Sequence, residues 1–344
     1  MENEADEACE TVCEDSWIKE TIPDIMTYSI AIRTLGKNPE VLRKELQSIA
    51  RQTVQPEKVM VYIAEGYERP AFTIGKEEYV WVKKGMVAQR ALEYKEIDSN
   101  VILMLDDDVE LADDSAERML KAMEECEADC VAADTFKNQD MSIMQKIVAF
   151  VGNGVFPRCD DGWAFKLTRD AAFSYNNNPK RAFCRTETFS GPCWMVKKPV
   201  LKAVRLEDEL WMERLGFTYG DDAVESYKLF KNGYKCGVLY DSGVKNMDAK
   251  TSSGGYHANV KKYYTRAYGQ FVTWWRMVYE VRDMRWLSVM LFSLKVLWQL
   301  ALHVALALKN LDVNILTNYM KGLCDAIRYV KSKEYERVPS YVIK

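Results

Sequence analysis

Histidine is nearly missing from this chain: His257 and His303 are the only two in 344 residues. Nine cysteines are present, but they are scattered (Cys9, Cys13, Cys126, Cys130, Cys159, Cys184, Cys193, Cys236 and Cys324) and odd in number. A structural zinc site needs thiolates and imidazoles in tight clusters, and neither Cys9/Cys13 nor Cys126/Cys130 has such company. The odd, unclustered count also argues against a disulfide framework and for reduced thiols in a cytoplasmic compartment. A basic surplus is lacking too. Forty-seven Lys and Arg face 51 Asp and Glu, a formal net charge of -4, which removes the electrostatic footprint of a nucleic-acid-binding protein. The first residues lack the positive start and apolar run of a secretory signal. They are acidic instead (Glu2, Glu4, Asp6, Glu7, Glu10, Glu14, Asp15), and residues 1–26 are expected to form a flexible acidic tail.

What is present is apolar content: 48% of the residues are hydrophobic, enough for one large domain or a domain with an appendage. Residues 28–33 read as a first strand, followed by a turn at Gly36–Pro39 and a helix whose Val41, Leu42, Leu46 and Ile49 recur at helical spacing. Residues 59–63 read as a second strand, 80–82 as a third, and 85–97 as a second helix. Residues 101–105, Val-Ile-Leu-Met-Leu, have the unbroken apolar character of a parallel strand buried on both faces. A helix over 113–125 and a strand over 130–133 follow. This alternation predicts an α/β fold with a mostly parallel central sheet and flanking helices. Ligands in such sheets sit beyond the carboxyl ends of the strands. Residues 141–217 are richer in turns and aromatics and predict a loop-rich half that builds a substrate pocket. A helix is expected again over 222–230, stopped by Asn232-Gly233, and a strand over 235–240.

Two acidic clusters carry the chemistry. Asp106-Asp107-Asp108 stands where the apolar strand ends. Three adjacent carboxylates repel one another, and a divalent cation, Mn2+ or Mg2+, is the simplest compensation because hard oxygen ligands suit it. Strand alternation would send Asp106 and Asp108 to one side and Asp107 to the other. A solvated acidic turn is the plain alternative. A calcium loop is disfavoured, since its sixth position is Leu111 where glycine is needed. The second cluster, Gly220-Asp221-Asp222, opens an amphipathic helix with Ala223, Val224, Tyr227 and Phe230 on one face and Glu225, Lys228 and Lys231 largely on the other. One aspartate there is explained as a helix cap. The second is left for chemistry, since a helix start favours a carboxylate that could serve as a general base.

Taken in order, these segments resemble the family 2 glycosyltransferases, which have the GT-A fold. The resemblance runs over about residues 28–270. It rests on the strand Tyr28–Thr34 with the helix that leads to Ser48-Ile-Ala-Arg-Gln52, the strand and turn over 59–66, Gly85-Met-Val-Ala-Gln-Arg90, the strand and acidic triplet over 101–109, Phe189-Ser-Gly-Pro-Cys-Trp-Met-Val196, the acidic pair with its helix and Gly233-Tyr234, and Tyr263-Tyr264-Thr265-Arg266. The family then implies roles. Thr34, Glu65 and Arg90 would hold base and ribose. Asp106 would face the nucleotide with Asp107 beside it, and Asp108 would bind the metal together with Asp106. Asp222 would be the base, with Asp221 as its catalytic neighbour. That implies inverting transfer from a nucleotide-sugar, a UDP-sugar favoured, to a hydroxyl of a saccharide or lipid-linked acceptor. The chain departs from the pattern at Ala64-Glu65-Gly66, where aspartates are usual, and at Asn246, which stands where the family often has histidine; His257 is a weaker substitute. Arg33, Lys83 and Lys84 either help a diphosphate or are solvated surface charges. Trp163, near Asp160 and Asp161, either stacks on a sugar or belongs to the core. A sugar-phosphate nucleotidyltransferase is the competing enzyme class, but Arg33-Thr34-Leu35-Gly36-Lys37 is a poor phosphate loop. A non-catalytic nucleotide-sugar binder or a membrane-docked partner protein is the competing non-enzyme.

Beyond the catalytic domain expected over 27–270, residues 271–344 predict a helical region. Its 286–308 segment is the most apolar in the chain. Ser288, Lys295, Gln299 and His303 recur along it at seven- and four-residue steps, a polar stripe on an otherwise apolar helix. Lying in a membrane interface fits this best, ahead of packing on the domain or on another copy. The mid-segment lysine weighs against a span. The expected location is cytoplasmic, with peripheral contact at the inner face of the cell membrane.

Overall fold

The computed structural model describes residues 26–135, 162–176, 179–215, 220–247 and 256–343. The acidic tail up to residue 25, Cys159, Asp160 and Asp161 lie outside them, as do the side chain of His257 and the first part, 141–161, of the turn-rich 141–217 stretch.

The first half runs β1 (Tyr28–Thr34), α1 (Pro39–Ala50), β2 (Val59–Ala64), β3 (Glu77–Val82), β4 (Val101–Asp106), β5 (Val109–Leu111), α2 (Ser115–Glu125) and β6 (Cys130–Ala133), so the expected alternation is interrupted by four strands without a helix between them. The turn-rich half adds β7 (Phe165–Leu167), β8 (Phe173–Tyr175), β9 (Phe183–Arg185) and β10 (Cys193–Lys197), then α3 (Lys198–Val204), a 3-10 helix over Leu206–Leu215, α4 (Asp221–Lys231), β11 (Cys236–Leu239) and β12 (Val244–Asn246). α5 (Tyr256–Trp274) runs through a π-helical turn, Trp275–Tyr279, and is followed by α6 (Arg285–Asn310), α7 (Asn314–Val330) and α8 (Lys333–Glu336).

Eight strands form one sheet in the order β3-β2-β1-β4-β10-β6-β11-β9. β3, β2, β1 and β4 are mutually parallel, and β10 runs antiparallel between β4 and β6. β1, β2 and β4 are buried on both faces, which is why their apolar runs do not alternate. On one face Leu42, Leu46 and Ile49 of α1 and Met119 and Met123 of α2 close the core. On the other, Trp194, Val200, Leu201 and Tyr94 do so.

Two expectations fail here, for identifiable reasons. Residues 85–97 form turns over 86–90 and 95–96 rather than a helix. Gln89 N–H bonds to the Gly85 carbonyl and Ala91 N–H to the Val87 carbonyl, with Glu213 accepting from Val87 N–H (2.6 Å) and Ala88 N–H (3.1 Å) at the start. The helical path does not continue, since Tyr94 has a left-handed backbone with φ +48. The second failure concerns α4, whose Glu225 and Lys228 are expected on the polar face opposite Ala223, Val224 and Tyr227. Both are buried, because Glu225 meets the buried Arg90 at 2.9 Å and Lys228 packs on the 3-10 helix segment, its Nζ donating to the Arg205 carbonyl at 2.9 Å. Lys228 finds Glu209 at 2.9 Å, and Arg276 grips the same carboxylate with two nitrogens at 3.0 and 2.8 Å. Burial alone would push Glu209 up, yet Arg276 and Lys228 hold it below its ordinary range.

Candidate active site

The parallel register assembles the site. β1 and β4 pair so that Arg33 lies opposite Asp106, and the strand ends of β1, β2, β3 and β4 share one rim. Both oxygens of Asp106 are taken by Arg33, Oδ1 by its Nε and Oδ2 by its Nη2 at 3.0 Å. One residue further, Thr34 Oγ1 donates to Asp107 and accepts from Gly36 N–H at 2.7 Å. Gly36 has φ +67, and a Cβ there would come within 2.9 Å of the Glu68 carbonyl, so this turn requires glycine. β4 ends at Asp106, so strand alternation stops there: Asp106 turns to the arginines and Asp107 to Thr34. Asp108 is half-buried in the turn beyond, and its carbonyl accepts Met247 N–H at 2.7 Å. β12 pairs Asn246 with Val109, which places Asn246 beside the triplet.

Arg90 is the centre of the arrangement. It is 2% exposed and meets four carboxylates: Asp222 at 2.5 Å, Glu225 at 2.9 Å, and Asp106 and Asp221 each at 3.4 Å. Its Nη2 also donates to the Gly191 carbonyl at 3.2 Å. A small cavity lined by Arg33, Arg90, Asp106, Gly191, Tyr62 and Tyr94 lies here. The acidic strand end and the acidic helix start, 115 positions apart in the pair Asp106 and Asp221, therefore face the same guanidinium.

Anionic charge is in excess. Burial would raise Asp106, but Arg33 and Arg90 bring it below its ordinary value. Asp107 is pushed up, chiefly by burial, against the Thr34 hydrogen bond. Asp221 is pushed up by burial and then by Asp222. Glu45 of α1 is fully buried and pushed well up by burial and then by Asp107, Asp106 and Asp108. Glu225 is pushed up to about 8 by burial, with Arg90 opposing. Two guanidinium groups cannot neutralise this many carboxylates, so the most deeply buried are pushed toward their protonated forms. Among the described residues no three His, Cys, Asp or Glu side chains form a complete metal cage.

Glu225 supplies a pH test. Its folded-state value of about 8 exceeds the ordinary carboxylate value of about 4.3 in an unfolded chain. Its contribution to stability is therefore complete below that lower value and is lost as pH rises through about 8. Glu225→Gln is expected to flatten the decline in urea-denaturation stability across this window; an unchanged slope would show that Glu225 is ionised in the folded protein.

Gly191 sits against the hub. A Cβ there would lie 2.2 Å from Asp222 Oδ1 and 2.5 Å from Arg90 Nη2, closer than any real contact. Gly191→Ala is expected to displace Asp222 and lower any turnover that uses it by about a hundredfold, the cost typical of an ångström-scale misplacement, while the far-ultraviolet circular dichroism stays unchanged.

The other expected site residues are distributed as follows. Glu65 follows β2 on the same rim and is exposed, its N–H bonded to the Val82 carbonyl at 2.8 Å. Arg33 is no solvated surface charge. Lys84 donates to the Tyr67 hydroxyl at 2.9 Å, and Lys83 is exposed. Trp163 has Lys166 over its ring at 4.8 Å and Arg185 at 5.3 Å, so cations already stack there. Tyr264 lies on α5 and bonds Asp325 of α7 at 3.1 Å, a helix-packing role. Sequence reasoning missed Glu225 as a member of the site. Its signal was the four-residue step from Asp221, which puts both carboxylates on one side of α4.

No family model and no curated protein matches this sequence. Solved structures do match in shape. The chain superposes on S. aureus TarS 1-349 with a TM-score of 0.52 at 12% identity, over 92% of this chain and 83% of that one. It superposes on the same protein in complex with UDP-GlcNAc with a TM-score of 0.51 at 12% identity, over 92% and 84%. GalNAc-T7 with UDP, GalNAc and Mn2+ aligns more loosely, at a TM-score of 0.47 and 10% identity over 80% and 55%. Sheet order, flanking helices and the TarS superpositions agree that the chain has the GT-A fold with a C-terminal helical appendage.

Proposed function

We propose that this chain is an inverting glycosyltransferase of the hexosyltransferase type. It moves a sugar from a nucleotide-sugar, with a UDP-sugar favoured, to a hydroxyl of a saccharide or lipid-linked acceptor, using Mn2+ or Mg2+. The observation that carries this reading is the shared guanidinium of Arg90, which holds Asp106 of the strand end and Asp222 of the helix start in one place. The GT-A fold supports it, as does TarS, a protein of the same fold crystallised with UDP-GlcNAc.

In this reading the nucleotide lies along the rim formed by Thr34, Glu65 and Asp107. Asp106, gripped by Arg33 and Arg90, orients these arginines toward the donor, and the metal role falls to Asp108 beside Asn246. When bound, the cation supplies positive charge to the departing diphosphate. Asp222 takes the proton of the acceptor hydroxyl. The acceptor oxygen bonds to the anomeric carbon from the face opposite the diphosphate. The carbon–oxygen bond to the diphosphate breaks, and its electron pair leaves with the nucleoside diphosphate. One displacement inverts the centre.

Nucleoside diphosphates and nucleotide-sugars, each with and without manganese, test the donor site by thermal shift. A ligand at about a hundred times its Kd stabilises by about 2.7 kcal/mol. The expected result is a metal-dependent shift for one base that is lost in Asp108→Ala, with free nucleoside diphosphate as the product. Release of pyrophosphate would assign nucleotidyl transfer instead, and no shift with any nucleotide would overturn the donor site.

A further inference from the structure

α6 is built inside out. Its polar stripe faces the protein: Ser288, Lys295 and Gln299 are buried. Lys295 Nζ donates to the Asp170 carbonyl at 2.9 Å and lies 3.4 Å from its carboxylate. Gln299 accepts the Tyr319 hydroxyl at 2.8 Å, and His303 stacks on Tyr319 with ring centroids 4.1 Å apart. The apolar side faces outward. Trp286, Met290, Leu294, Leu297, Val304 and Leu308, at steps of three, four and seven, form an exposed ridge, with Leu297 63% and Leu308 70% accessible. At 1.5 Å per residue the ridge is about 33 Å long. Composition and length would let Arg285–Asn310 cross a membrane. Its inner face, however, is fastened to Asp170 and Tyr319 by polar contacts, so only one side is left for lipid.

Charge identifies what covers that side. Residues 256–330 carry ten basic and four acidic side chains; Arg276, Arg282 and Lys295 pair with Glu209, Glu187 and Asp170, which leaves seven basic against four acidic, whereas the whole chain carries 47 and 51. The basic surplus of this helical region sits on a molecule whose remainder is acidic. α6 itself has only positive charges: Arg285 at one end, Lys309 at the other and the inward Lys295. An antiparallel second copy would bring Arg285 of one α6 against Lys309 of the other, like charge on like charge at both ends. An anionic lipid surface meets both requirements, acyl chains for the ridge and headgroups for its ends. Trp286, 68% exposed at the start of the ridge, has the amphipathic ring suited to that boundary.

We infer that α6 docks in the plane of an anionic membrane surface, its Trp286–Leu308 ridge set into the headgroup boundary. Docking requires no nucleotide, so it stands or falls separately from the donor site. The test is flotation of the full chain with vesicles of phosphatidylcholine alone and of equal parts phosphatidylcholine and phosphatidylglycerol. The expected result is flotation with the mixed vesicles, weakened about tenfold or more by high salt or by removing the anionic lipid. It should be abolished by Leu294→Gln with Leu297→Gln at an unchanged melting temperature. Equal flotation on both vesicles would overturn the role of charge. Failure on both would overturn docking, and a dimer in light scattering that the same double variant disperses would assign the ridge to a second copy.

Discussion

Asp222→Asn is expected to lower the transfer rate by about two to four orders of magnitude, the range over which a positioned general base acts, or about 3–5 kcal/mol in activation free energy. The substitution keeps size and shape. An amide oxygen can still accept from Arg90, which sits 2.5 Å away, so melting temperature and the nucleotide-induced thermal shift should stay close to wild type. What the amide cannot do is take a proton from the acceptor. Asp221 provides the contrast. Its carboxylate is buried toward Arg33 (3.9 Å) and Arg90 (3.4 Å), and it keeps more of its proton than an ordinary aspartate because of burial and Asp222. Asp221→Asn is therefore expected to cost less turnover than Asp222→Asn. Steady-state kinetics of both variants decide the matter. Wild-type rates in Asp222→Asn would end the assignment of the base.

Arg90→Met carries the largest expected effect on stability. It strips the shared partner from Asp106, Asp221, Asp222 and Glu225, leaving Arg33 alone with them. Removing one partner of a buried ionic cluster costs about 3–5 kcal/mol, because the remaining charges have lost both water and their counter-ion. The sign with pH follows from the same carboxylates. Asp221 and Glu225 are already raised by burial; without Arg90 they rise further, so the folded variant binds extra protons and loses stability as pH rises. The deficit against wild type, read from urea denaturation, should be greatest near pH ~8 and shrink toward pH ~5. Adding Glu225→Leu to Arg90→Met should recover part of the loss, since it removes the deepest unpaired carboxylate. Equal losses at both pH values would mean that Arg90 acts through packing instead.

Much of the site was legible as local pattern. An apolar run that ends in Asp106-Asp107-Asp108, and a helix that opens on Asp221-Asp222, are short-range signals. Burial on both faces of β4 and the N-terminal turn of α4 follow from them directly. Glu225 and Lys228 show where such reading stops. Their spacing on α4 fits a solvated face, and no rule of helical periodicity says that Arg90 and Glu209 will meet them there. Residues 85–97 show the same limit in the backbone. Apolar spacing there suits a helix, but Tyr94, buried against the Tyr62 ring of β2, takes a left-handed backbone that ends it.

By itself the sequence determined the α/β class, the two acidic clusters and the polar stripe of α6, because each depends on neighbours within a few residues. Only the tertiary structure decided that both clusters meet on Arg90, that Asp106 is held by two arginines, and that the stripe of α6 turns inward and its apolar ridge outward. These outcomes depend on strand register and helix docking, which are set by burial summed over the whole core and not by any local run of residues.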